Sequence, residues 1–256
     1  MTPLGSIFCA LLAATACAWL ALVALAAYIA RSPRPDVHTG LAWVAARIYL
    51  RVVHRARFCG LENLPRPASP GAPMGPLVVV ANHTSGVDPL LVQDCCPFFI
   101  RWMMMKSMMV PQAAALWEWL EIVPVAQNSS DSQAVRTALR TLKDGGVLGV
   151  FAEGGIERPA RHIMPFQPGV GVLIARTHAR VLLVIIEGTP DTPTAFASLI
   201  RFSRARVRYL PLLSFEGSDL DAAAITRALE DRVVAETGWP RAAPPLSPLH
   251  SAVRPE

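Results

Sequence analysis

Residues 77–89 read Leu77-Val78-Val79-Val80-Ala81-Asn82-His83-Thr84-Ser85-Gly86-Val87-Asp88-Pro89. The first five are apolar without alternation, as in a strand covered on both faces. A polar turn with a glycine follows. Asp88-Pro89 then has the composition of a helix start, with aspartate at the N-cap and proline at N1. Strand, turn and helix in that order make one unit of an α/β protein. Similar apolar runs occur at Phe98–Met103, Ile122–Val125, Val147–Phe151 and Val181–Ile186. Between them, Asp131–Lys143 places Ala134, Val135, Ala138, Leu139 and Leu142 at helical spacing, with Gly145 where a C-cap belongs. Val170–Thr177 follows Pro168-Gly169, and Ser218 with Asp221 makes a capping box ahead of Ile225, Leu229 and Val233. Strands alternating with helices predict an α/β body, residues 61–239, with a mostly parallel sheet flanked by helices. It starts at a loop, residues 62–76, holding five prolines and two glycines, and ends at a proline-rich tail, residues 240–256.

The residues before the body differ in kind. Ile7 to Ala30 is a run of 24 residues without a charge, roughly 36 Å as a helix against a hydrocarbon core of about 30 Å. A cleaved signal peptide is the alternative. Against it, Met1 to Ser6 has no lysine or arginine and the run exceeds a typical signal core. Leu41–Phe58 reads as a second helix, with Leu41, Val44, Ala45, Ile48, Val52 and Phe58 on one side and Arg47, Arg51, His54 and Arg55 on the other. Such a helix suits a membrane interface, or is a basic helix packed on its own domain. Residues 1–60 are thus expected to form a membrane anchor (apolar helix 7–30, basic amphipathic helix 41–58). The arginines follow the apolar run and none precedes it, which puts the body on the cytoplasmic face.

Composition narrows the function. Apolar residues are 52% and charged residues 17% of the 256, and mean hydropathy is +0.37, which excludes a disordered or fibrous chain. The net charge of +5 equals the excess of six arginines over Asp36 between Arg31 and Arg57. The rest is balanced, so a nucleic-acid-binding surface is not expected. The five cysteines form no Cys-x-x-Cys pair, so neither a disulfide framework nor a metal site is expected. No GxxxxGK phosphate loop occurs.

The turn after the first buried strand is where α/β proteins place their sites. His83 and Asp88, with Gly86 between them, can fold back into contact, so that the carboxylate fixes the imidazole tautomer and stabilises the ring when it takes a proton. A capping role for Asp88 and an idle surface histidine are the alternative. The chain has no Gly-x-Ser-x-Gly elbow, which disfavours a serine esterase.

Asn82-His83-Thr84-Ser85-Gly86-Val87-Asp88 resembles the NHxxxxD block of the glycerolipid acyltransferases, the PlsC-like lysophosphatidic acid acyltransferase family. Three further blocks stand in the family's order, over roughly residues 41–190. Lys106 is similar to the lysine opening the second block. Phe151-Ala152-Glu153-Gly154-Gly155 resembles Phe-Pro-Glu-Gly-Thr. Phe166-Gln167-Pro168-Gly169 resembles Phe-Lys-Pro-Gly, and Val181–Ile186 stands in place of the strand that closes the pattern. The resemblance implies a glycerol-3-phosphate acyltransferase-like fold. It implies an enzyme moving a fatty acyl group from acyl-CoA or acyl carrier protein to a lipid hydroxyl at the membrane, with no cofactor and no metal. It makes His83 and Asp88 catalytic, and Asn82, Gly86, Lys106, Glu153, Gly154, Gly155, Arg158 and Arg161 substrate-binding. Backbone N–H groups near Gly86 or Gly154 are candidates for the oxyanion.

The pattern departs in two places. Ile156 follows Gly155, leaving Arg158 or Arg161 as the nearest arginines, and Gln127 stands for an arginine near the end of the second block. The favoured acceptor is 1-acylglycerol-3-phosphate, giving phosphatidic acid. Other acceptors (glycerol-3-phosphate, ornithine lipid, another lyso-lipid) or a catalytically weak lipid-binding protein are the alternatives. The methionines at 103–105 and 108–109 are expected to line an acyl groove or to fill core, and Trp117 and Trp119 to anchor at the interface.

Overall fold

The computed structural model describes residues 3–34, 36–126 and 132–242, with side chains from residue 12 onward apart from Ser132. The expectations for Gln127, for Asp131 and for the tail beyond Ala242 fall outside the described residues. In chain order the elements are α1 (Pro3–Ile29), α2 (Val37–Val52), β1 (Arg57–Cys59), β2 (Leu77–Ala81), α3 (Asp88–Cys95), β3 (Ile100–Met105), α4 (Ala114–Trp119), β4 (Val123–Val125), α5 (Ser132–Lys143), β5 (Val147–Phe151), α6 (Gly169–Thr177), β6 (Arg180–Glu187), β7 (Arg206–Tyr209) and α7 (Ala222–Thr237).

The strands form one sheet in the order β1-β7-β6-β2-β5-β3-β4. Every neighbouring pair is parallel except β6 and β7. The period of two along each strand divides two cores. Val78, Val80, Leu148, Leu183 and Ile185 face Ala138, Leu142, Ile174, Leu229 and Val233 of α5, α6 and α7. Leu77, Val79, Ala81, Leu182, Val184 and Ile186 face Leu50 of α2 and Leu91 and Val92 of α3. A sheet covered by helices on both faces is the expected α/β architecture. Gly171 closes one side, since a Cβ there would collide with the Ala222 carbonyl and α6 and α7 cross in backbone contact.

α1, about 40 Å long, is long and apolar enough to cross a membrane, and Leu12–Ile29 is unburied. It folds back on α2 through Tyr28 and Trp43, whose ring centroids are 5.3 Å apart, and through Gly40, which lies against Ile29.

Several boundaries differ from the sequence reading. The second helix begins at Val37, capped by Asp36, whose side chain accepts from the Thr39 amide at 2.7 Å, and ends at Val52. Phe58 is in β1, so the sheet already begins at Arg57, inside the segment expected to be anchor. Arg47 and Arg51 turn inward to the buried Asp94 of α3, at 3.2 and 3.8 Å, while Val37, Leu41, Ile48 and Val52 face outward. At α3 the cap is Val87, and Asp88 is the first helical residue. At α7 the cap is Asp221, which accepts from the Ala224 amide, and Ser218 instead donates to Phe215 O. The chain after residue 239 stays with the body as far as Ala242. Arg241 reaches Glu230 and Asp231, and the Ala242 amide donates to Ile163 O at 2.8 Å.

Candidate active site

The site lies at the carboxyl ends of β2 and β5. Asn82, fully buried, extends the ladder past the last strand residue. Its Nδ2 donates to Ile186 O at 2.9 Å, and its Oδ1 accepts from Ile186 N at 2.8 Å. The next residue is thereby held at a fixed height. His83 Nδ1 is 2.9 Å from Asp88 Oδ2. The same Oδ2 accepts from the amides of Thr84, at 2.7 Å, and Ser85, at 2.8 Å. Asp88 is fully buried, at the positive end of α3. An ionised carboxylate so supplied accepts the Nδ1 proton, and Nε2 carries the lone pair. The His83 side chain keeps 17% of its surface exposed.

Aromatic rings fix the plane of the imidazole. His83 stacks on Phe151 with centroids 4.0 Å apart and planes 16° apart, and Phe151 stacks on Trp102 at 4.6 Å and 12°. Gly149, opposite Trp102 in the β3–β5 register, leaves room for the indole, since a Cβ there would meet it at 2.5 Å. This stack was not among the expectations from sequence. Its signal was the lone glycine inside a β-rich run, which marks close approach.

The Glu153 carboxyl and the Glu157 amide hold the turn. Glu153 Oε1 accepts from the His83 amide at 2.8 Å, and Oε2 from the Met164 amide at 2.9 Å. Burial pushes this carboxyl up to about 8, against those two hydrogen bonds, which lower it. Glu157 donates its amide to His83 O at 2.7 Å, and its Oε1 accepts from the Arg161 amide at 2.8 Å. Burial raises it to about 7, and its Oε2 has no hydrogen-bond partner. No feature of the sequence singled out Glu157.

The other expected site residues divide. Gly154 has φ +76°, a conformation that favours glycine, and its amide donates to Phe151 O at 3.0 Å, which removes it as an oxyanion donor. Gly155 borders open space. Gly86 packs under the Ala195 carbonyl, where a Cβ would collide. Lys106 is exposed and opens a short turn at the end of β3, the same end of the sheet as His83. Arg158 donates to Glu157 O and Thr192 O, both at 2.8 Å, with Asp191 at 3.6 Å. Arg161 is exposed, with φ +59°.

A cavity of about 660 Å³ opens elsewhere, between α4, α5 and the β4 edge, and touches none of these residues. Of the methionine cluster only Met109 lines it, and Met103 packs on the core. Trp117 lines it and donates to Val110 O at 3.0 Å. Among the described residues no three His, Cys, Asp or Glu side chains are grouped to hold a metal ion.

A family model described as Acyltransferase matches residues 55–197, more than half of the chain and the whole of this site. The protein belongs to the acyltransferase family. Among solved structures it is similar to the 1-acyl-sn-glycerophosphate (LPA) acyltransferase PlsC from Thermotoga maritima, at a TM-score of 0.60 and 19% identity, over 75% of this chain and 74% of that one. The likeness is one of fold. No curated protein sequence matches the chain.

Proposed function

We propose that the protein is a membrane-anchored O-acyltransferase that moves a fatty acyl group from acyl-CoA or acyl carrier protein to the free hydroxyl of a lysophospholipid, 1-acylglycerol-3-phosphate above all. The observation that carries this reading is the 2.9 Å contact between His83 Nδ1 and a fully buried Asp88 carboxylate at the end of a central strand. Nε2 of the neutral ring removes the proton as the acceptor oxygen bonds to the thioester carbonyl carbon. The tetrahedral adduct collapses, the carbon–sulfur bond breaks, and the thiolate recovers the proton from Nε2. Asp88 holds the ring and balances its charge, a contribution of about 10²–10⁴-fold for a positioned base. The Gly86 amide is the remaining candidate of the two for the oxyanion. The thioester is already activated, so this route needs no metal. Nothing in it calls for a nucleic acid.

Membrane attachment through α1 brings the site to its substrate. The arginines that follow α1 favour the cytoplasmic side. Asn82 and Glu153 hold the turn, Lys106 and Arg161 offer cations at its rim, and Gly154 and Gly155 allow close approach of the head group.

A second reading concerns the acceptor. Arg158 is occupied by two carbonyls and Asp191, and the buried Glu157 stands beside it. That setting favours a head group with less negative charge than a phosphate monoester.

One experiment addresses both. Purified protein in detergent micelles is given labelled acyl-CoA, and separately acyl carrier protein, with lysophosphatidic acid, zwitterionic and uncharged lyso-lipids and glycerol-3-phosphate. Transfer that falls at least about 100-fold in His83→Ala supports the base. Transfer untouched by that change defeats His83 as the base, and binding without transfer by either protein defeats the enzyme reading. A strong preference for lysophosphatidic acid defeats the second reading alone.

A further inference from the structure

The segment between β6 and β7 carries a surface that acyl transfer does not use. Its first half lies on the site. Thr189 Oγ1 is 2.6 Å from Thr84 Oγ1, Pro190 O accepts from Ser85 Oγ at 3.1 Å, and Ala195 covers Gly86. Immediately beyond, a 3₁₀ turn spans Phe196–Ile200. Phe196, Ile200 and Phe202 point outward, 49%, 84% and 71% exposed. Isolated apolar residues on a surface are ordinary, but three within seven positions form a patch that marks an interaction site.

The tip is fixed. Ser198 Oγ donates to Ala195 O at 2.6 Å, and Tyr49 Oη to Leu199 O at 2.5 Å. His54 Nδ1 is 2.9 Å from Ser203 Oγ, and the Ser203 amide donates to Val53 O at 3.2 Å. These bonds clamp the tip to the last turn of α2, so its apolar residues continue the outward stripe of Ile48 and Val52.

Arginines dominate the charge around the tip. Arg55, Arg57, Arg201, Arg204 and Arg206 are all exposed, and none has an ion-pair partner among the described residues. Arg57 and Arg206 stand opposite each other in the β1–β7 register. Of the acids nearest along the chain, Glu187 and Asp191 face Arg208 and Arg158, and Glu62 is exposed beyond β1.

We propose that residues 196–204, together with the outward face of α2, form a second membrane-docking surface. Phe196, Ile200 and Phe202 enter the boundary of an anionic leaflet and the arginines meet its head groups. Insertion of apolar side chains and attraction to anionic lipid add. The tip begins one residue after Ala195, so docking sets the mouth of the turn holding His83 at head-group depth. Only that last consequence rests on the acyltransferase reading.

The test needs no turnover. The full chain, with Cys9, Cys17, Cys59 and Cys95 changed to serine, carries one environment-sensitive fluorophore at Phe202→Cys, at Ile200→Cys, or at Leu220→Cys, an exposed apolar control ahead of α7. It is reconstituted into phosphatidylcholine vesicles with and without phosphatidylglycerol, and spin-labelled lipids report depth. The expected result is strong quenching at both tip positions, increased by phosphatidylglycerol and reduced about fivefold or more by Arg201→Gln with Arg204→Gln, with little quenching at the control. Tip quenching no greater than at the control in every vesicle overturns the proposal. So does tip shielding that follows protein density rather than lipid composition, which would identify a second copy of the chain. Absence of acyl transfer would sink the proposed function and leave this result standing.

Discussion

Asp88 concentrates donors on one oxygen: the amides of Thr84 and Ser85, Nδ1 of His83 and, at 3.3 Å, Thr84 Oγ1. An asparagine there keeps a single acceptor oxygen and brings two N–H groups among donors, and the imidazole loses its tautomer control. We expect Asp88→Asn to lower acyl transfer at least about 100-fold and to cost about 1–3 kcal/mol of stability, read from turnover and from thermal unfolding of the solubilised protein. His83 and Asp88 were legible because short-range spacing across a turn survives folding unchanged. What supports them was not. Trp102, Phe151 and Glu157 reach the histidine from other strands and loops, and Ala195 reaches Gly86 across 109 residues of chain. Nothing local reports such distances.

At the scale of elements, α2 and α3 are joined by charge. Asp94 is buried against Arg47 and Arg51; burial raises its pKa and the two guanidinium groups lower it. Asp94 Oδ1 and Arg47 Nε are 3.2 Å apart without hydrogen-bond alignment, so the contact is one of charge. Removing one partner of such a pair strands the other. We expect Arg47→Met to cost about 3 kcal/mol, and Arg47→Met with Asp94→Leu to regain most of it, both measured by thermal unfolding. The long apolar strands and the helices behind them were readable from period and length. β1 and β7 were not: they are three and four residues long and interleave arginines with apolar side chains. The partner of the arginines on α2 was hidden as well, because Asp94 lies on another helix and an amphipathic pattern does not say what either side meets.

For the molecule as a whole, buried acids tie stability to pH. Glu153, raised to about 8, and Glu157, raised to about 7, keep their protons in the fold where the unfolded chain has released them. The folded state then binds more protons, so these groups make stability fall as pH rises from about 4.5 toward 8. His54, buried with a lowered pKa, works in the opposite direction below its ordinary 6.5. We expect Glu153→Gln to flatten the decline in Tm between pH 5 and 8 relative to the unchanged protein. The slopes are to be compared, since the amide costs hydrogen bonds at every pH. A steeper decline in the variant would contradict the assignment.

β1 follows α2 in the chain, yet its partner in the sheet is β7. During synthesis residues 57–59 must wait for residues 206–209. The nascent sheet thus lacks its outer border until β7 has emerged, and the zipping of that border joins segments far apart in the chain.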